Sequence, residues 1–146
     1  MSTAVPQVDE AAVTPPEARR DPRVRRKMSG PALRTFFNVA ERWGLGTEQQ
    51  RALLGWPAKS TLHNWKGGTP TTLPYDTLLR ISLVLGIYKA LHVLYPDDRF
   101  ADSWVKMPNS NPMFGGGPAV DLMTGGDIDG LYRVRRLLDA RRGGWS

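Results

Sequence analysis

Cysteine is absent from the 146 residues, and histidine is nearly so, with only His63 and His92. The first absence excludes a disulfide framework, a thiolate nucleophile and any cysteine-based zinc site. Two histidines are too few for an all-histidine metal site, and their spacing matches no recognised ligand pattern. No paired carboxylates and no nucleophile–base set can be assembled from the rest. No catalytic residue is therefore assigned, and no metal or cofactor is expected. Long hydrophobic runs are missing as well: Arg80 and Lys89 interrupt the most apolar stretch, residues 78–94. A spanning helix needs about 20 mostly apolar residues, so this stretch reads as a buried helix of a soluble protein, with no membrane partner. The first ten residues have neither a basic start nor an apolar core. They are not a secretory signal, and a cytoplasmic location is the expectation. The length suits one ordinary domain or two small ones sharing a core, and excludes an eight-unit βα barrel.

What the chain does have is positive charge. Twenty Lys and Arg stand against fourteen Asp and Glu, a net +6 that points to an acidic partner, nucleic acid first. The excess is unevenly spread: +2 over residues 1–27, +3 over 28–70, zero over 71–108 and +1 over 109–146. Arg19, Arg20, Arg23, Arg25, Arg26 and Lys27 crowd together among several prolines, with almost no large apolar side chain nearby. That composition reads as a flexible basic arm, either a solvated tail or a phosphate-contacting one.

From Pro31 onward the apolar residues recur at helical spacing. Leu33, Phe36, Phe37 and Ala40 predict a first helix, with Pro31 in its first turn and Gly44 at its stop. Thr47 is the expected cap of a short helix over 47–54, with Gln50 at the capping-box position. A third helix is expected over 58–66, closed by Gly67, Gly68 and Pro70. A long helix follows over 74–95, and a short one around 100–105 with Phe100, Trp104 and Val105 on its apolar side. After a Gly/Pro/Asn loop at 108–118 come a short helix at 119–123 and a last one capped by Asp127, reaching about residue 140. No strand-like alternation and no internal repeat appears. The fold class is all-α: an N-terminal helix-turn-helix bundle, a long central helix and a small helical C-terminal domain.

The pair 47–54 and 58–66 has the lengths and turn chemistry of a helix-turn-helix. Its second helix carries Lys59, Ser60, Thr61, His63, Asn64 and Lys66 on the outside and Leu62 and Trp65 inside. A recognition helix needs that division, an apolar face to hold it and a polar one to reach base edges. Many small helical pairs share this outline without touching DNA. His63 reads as a surface polar group, Trp65 as a core anchor, and Trp43 and Trp56 as core or turn packing.

The last third is less ordinary. Three consecutive glycines suggest a phosphate cradle, but no strand precedes them and no Gly-Lys-Ser/Thr follows. The chain then ends in a basic amphipathic helix with Arg133, Arg135, Arg136, Arg141 and Arg142, followed by Gly143, Gly144, Trp145 and Ser146. A large indole at a terminus is costly to expose, and Trp and Arg are frequent anchors of protein interfaces. Asn111-Pro112-x-Phe114-Gly115-Gly116, Ala119-Val120-Asp121-Leu122-Met123-x-x-Gly126, Gly130-Leu131-x-Arg133-Val134 and Asp139-Ala140-Arg141-Arg142-Gly143-Gly144-Trp145 resemble the toxin-binding domain of the Xre/ParS-type antitoxins of RES–Xre toxin–antitoxin operons. The helix-turn-helix is similar to the Xre-like part of the same family, and the resemblance covers roughly residues 30–146.

The resemblance implies a two-part protein. Residues 1–29 would be the basic arm and 30–72 the DNA-binding domain. Residues 73–107 would form core helices and the dimer contact, and 108–146 the toxin-binding domain with its blocking tail. Its partners would be a RES-domain toxin that consumes NAD⁺, the promoter DNA of its own operon and a second copy of itself. On this chain Asn111 and Phe114 would help shape the docking surface, with Arg133, Arg136 and Asp139 on the last helix. Arg141, Arg142, Gly143, Gly144, Trp145 and Ser146 would block the active-site entrance. The alternative is a stand-alone helix-turn-helix transcription regulator without a toxin partner.

Overall fold

The computed structural model describes residues 18–143, and all the regular structure among them is helical. The first helix, α1, spans Pro22–Arg42 and begins well before Pro31, which lies inside it. Asp21 caps it, its carboxylate accepting from the Arg23 amide at 2.9 Å, and Pro22 fills the first turn, where no amide proton is needed. The described part of the basic segment is therefore ordered, preceded by a 3₁₀ turn at Ala18–Arg20. Tertiary contacts explain why. Arg19 is buried and donates to the Ser82 hydroxyl at 3.2 Å, and burial pushes its pKa down. Arg25 donates to the carbonyls of Leu73, Arg19 and Arg20. Met28 and Ser29 are buried one turn further on. These anchors offset the helix bond that Pro31 removes.

Ser29 ties α1 to the segment after α3. Its hydroxyl donates to the Arg25 carbonyl at 2.6 Å and accepts from the buried Leu73 amide at 2.9 Å. Ser29→Ala should orphan that amide and cost about 1–3 kcal/mol, read as a lowered thermal midpoint with unchanged helicity.

Gly44, at φ +66°, turns the chain into α2, Thr47–Leu53. The cap here is Gly46 rather than Thr47, and its amide donates to the Gln49 side chain at 3.2 Å. Gln50 is buried instead and donates to the Leu45 carbonyl at 2.8 Å. Then come α3, Lys59–Lys66, and the long α4, Tyr75–Leu94. A helix as apolar as α4 should be largely buried, and it is: α7 covers it most extensively, then α1, with α5 and α2 adding smaller contacts, and only Asp76, Lys89 and Val93 are exposed. Although it is long and apolar enough to cross a membrane by composition, it is the core helix of this fold. Val93, near its end, is the one exposed large hydrophobic residue of α4.

Beyond α4, α5 spans Asp98–Ser103 and a 3₁₀ turn covers Trp104–Lys106. Trp104 and Val105 are buried as expected, but Phe100 faces out and meets Tyr95 edge-on at 5.0 Å. His92 fastens this corner, its ring nitrogens 2.8 Å from Asp102 and 3.3 Å from Asp98, while Asp102 also pairs with Arg42 at 3.3 Å. After a loop come α6, Ala119–Met123, and α7, Ile128–Arg142, capped by Asp127. One hydrophobic cluster runs from Met28 to Leu138, so the helix-turn-helix and the C-terminal helices share a core.

Candidate functional site

The first candidate surface is α3. Leu62 is its buried anchor and Trp65 is half-buried, so this indole belongs to the supporting side. Lys59, Ser60, His63, Asn64 and Lys66 are exposed and Thr61 is half-exposed, which gathers all six expected DNA-facing residues on one accessible helix. Ala58, the residue at its N-cap, supplies no side-chain hydrogen bond. The first-turn amides therefore have no side-chain cap. Lys66 is not wholly free, since its ammonium lies 5.8 Å from the centre of the Phe37 ring.

The two expected places for Trp43 and Trp56, core or turn, divide between them. Trp43 is buried beside Tyr88, but Trp56 is 47% exposed and holds a left-handed φ of +65°. Arg51 ties that turn together: it donates to the Pro57 carbonyl at 2.8 Å, pairs with Glu48 at 2.9 Å and lies over the indole at 5.4 Å.

The second surface is C-terminal. The loop before α6 is pinned at its neck, where Pro108 and Pro118 form an isolated bridge and the Asn109 amide donates to Gly117 at 3.1 Å. Asn111 caps a 3₁₀ turn at Pro112–Phe114, accepting from the Met113 amide at 3.0 Å. Phe114 sits edge-on to Trp104 at 6.2 Å and packs on the core. The left-handed Gly115 and Gly116 then turn the chain back. Asn111 and Phe114 thus build the loop from within. On α7, Arg136, Arg141 and Arg142 are exposed, as is Gly143 just beyond its end, Arg133 is half-exposed, and Asp139 pairs with Arg135 at 3.0 Å. Gly144, Trp145 and Ser146 lie outside the described residues.

Among the described residues no cluster of His, Asp or Glu could hold a metal ion. The Tyr88 hydroxyl, pushed well above the usual tyrosine range by burial and then by Asp102, is locked in the core beside His92.

A helix-turn-helix at one end and an arginine-rich helical platform at the other, joined through one core, define a two-ended binding protein. Residues 22–86 match the antitoxin Xre-like helix-turn-helix domain, and residues 89–144 match the antitoxin Xre/MbcA/ParS C-terminal toxin-binding domain. The chain belongs to the Xre/ParS-type antitoxins and is the antitoxin side of a toxin–antitoxin pair. It is also 46% identical over 114 residues to "Uncharacterized protein y4oB" of Sinorhizobium fredii (strain NBRC 101917 / NGR234), a match covering 77% of this chain and 84% of that protein. Both matched domains are binding modules rather than enzymes, and the toxin-binding match weighs against a regulator with no toxin partner. The first match begins at Pro22, where α1 begins, so it takes in part of the segment read from sequence as an arm.

Proposed function

We propose that this antitoxin inhibits a RES-domain toxin that consumes NAD⁺, by seating its C-terminal segment in the entrance of the toxin's active site. The observation that carries this reading is the end of α7. Leu138 is its last buried residue, and beyond it Arg141 and Arg142 stand exposed at the start of the tail. The aromatic-base subsite of an NAD⁺ cleft offers a stacking surface for the Trp145 indole, and acidic groups at its entrance would pair with Arg141 and Arg142, so 139–146 is the blocking segment. The pinned loop at 108–118 and α6, which contacts both that loop's 3₁₀ turn and α7, supply the surrounding dock. The test is co-expression with a RES-domain toxin, following growth and cellular NAD⁺. The antitoxin should restore both. NAD⁺ that stays depleted despite a stable complex would refute active-site occlusion, and the absence of any complex would refute the RES partner.

At its other end the protein, as a homodimer, represses its own operon through α3, placing it in the cytoplasm with both targets. Exposed Asn64 is suited to bidentate contact with adenine, and Lys66 to a phosphate. Asn64→Ala with Lys66→Ala should lower promoter affinity by about 2–4 kcal/mol and leave toxin binding intact. A gel shift unchanged by the double substitution would move recognition off α3.

A further inference from the structure

A groove of about 550 Å³ lies between α1, the end of α3 and the loop that follows it. Half-buried Phe37 and Trp65 line it, exposed Arg26, Lys27, Arg34 and Lys66 stand around it, and no Asp or Glu is among the lining residues. Among the described residues none of these four cations has an ion-pair partner. Their neighbours in the chain are engaged elsewhere: Arg19 is buried on Ser82, Arg25 is spent on three carbonyls and Arg23 pairs with Asp21 at 3.2 Å. The fold therefore divides the basic crowd of residues 19–27. It uses some charges internally and leaves Arg26 and Lys27 facing the groove, beside Arg34 one helix segment further on.

Like charges that converge without a carboxylate repel one another, and an anion placed between them relieves that repulsion. The groove exceeds what one small ion fills, which favours a chain of phosphates. It is also continuous with the outer face of α3, because Lys66 belongs to both. An apolar occupant would have to desolvate four cations to reach two rings, which is unfavourable.

We propose that this groove is a phosphate-backbone site, across which DNA read by α3 continues, its phosphates neutralised by Arg26, Lys27, Arg34 and Lys66. The proposal rests on the reading of α3 as the DNA-contacting helix. It gives the basic segment a fixed seat on the fold, in place of a free arm.

Fluorescence anisotropy of the full chain with a fragment of its own promoter, titrated over about 50–200 mM salt, tests it. The variant replaces Arg26, Lys27 and Arg34 with alanine together; all three side chains are exposed, and a thermal melt checks the fold. The slope of log affinity against log salt should become shallower by about 2–3, and affinity at the upper salt concentration should fall at least about tenfold. The preference for promoter over scrambled DNA should stay unchanged, because phosphate contacts carry no sequence information. Asn64→Ala should do the reverse, reducing the preference and keeping the slope. A triple variant with the wild-type slope overturns the proposal. So does one that turns a dimer into a monomer in sedimentation velocity, which would make the groove a contact between copies. A wild-type protein that binds no promoter DNA defeats the reading of α3 itself, which separates the two failures.

Discussion

Gly130→Ala should lower stability by about 3 kcal/mol or more and the thermal midpoint by roughly 6–12 °C. Gly130 is buried in the first turn of α7, and a methyl group there would overlap the backbone carbonyl oxygen of Leu122 in α6. A carbonyl fixed in its own helix cannot swing aside, so α6 and α7 must separate, and the Leu131 and Val134 contacts behind them loosen. Gly86→Ala is the informative control. The nearest atoms a methyl there would overlap all belong to the end of the Arg135 side chain, which lies across α4. That guanidinium can rotate into solvent, and alanine gains about 1 kcal/mol of helix propensity over glycine. Gly86→Ala should therefore shift stability by less than about 1 kcal/mol in either direction. Equal destabilisation by the two substitutions would show that close approach of the α6 carbonyl is not what requires glycine at 130. Calorimetry on the full chain measures both.

The same contrast between fixed and movable neighbours explains what the sequence alone could reveal. The all-α class was legible because helical spacing is periodic and survives local irregularity; the ends of α6 were readable to the residue. The start of α1 was misplaced although its signal was present, since Asp21-Pro22 is a cap followed by a first-turn proline. Pro31 offered a second start of the same kind. What decides between them is the burial of Arg19 and the reach of Arg25 to Leu73, contacts between residues far apart in the chain. Pattern reading has no access to those. Phe100 fails for a related reason: a six-residue helix has too little periodicity to say which side faces the core.

At the candidate sites, the polar face of α3 was legible because Leu62 and Trp65 fix its inner side. The exposed Trp56 was not, because its outward direction follows from a left-handed backbone that tryptophan rarely adopts. Nor was Arg34, isolated in sequence and joined to Arg26 and Lys27 only by the helical register of α1. The C-terminal motif was dense enough to resemble its family at once, yet residues of one motif now divide by role. Asn111 and Phe114 hold the loop from inside, Asp139 is occupied by Arg135, and Arg136, Arg141 and Arg142 stand exposed.

That division determines how the proposed blocking segment is best removed. Deleting residues 141–146 leaves Leu138, the last core residue of α7, and the Arg135–Asp139 pair at 3.0 Å in place. The fold should therefore persist, with a thermal midpoint within a few degrees of the full chain. Inhibition should not. Arginine and tryptophan are the side chains whose truncation most often costs 2 kcal/mol or more at an interface. Losing Arg141, Arg142 and Trp145 together should weaken inhibition at least about 100-fold, at about 1.4 kcal/mol per tenfold. Because the loop at 108–118 and α6 remain, the shortened protein should still associate with the toxin, more weakly, and NAD⁺ consumption should resume inside the complex. Toxin activity measured with increasing amounts of each antitoxin separates the outcomes. Full inhibition by the shortened chain would mean that broad docking does the work and that the tail is no plug. Loss of both binding and inhibition would make the tail the main anchor, with the loop and α6 only its support.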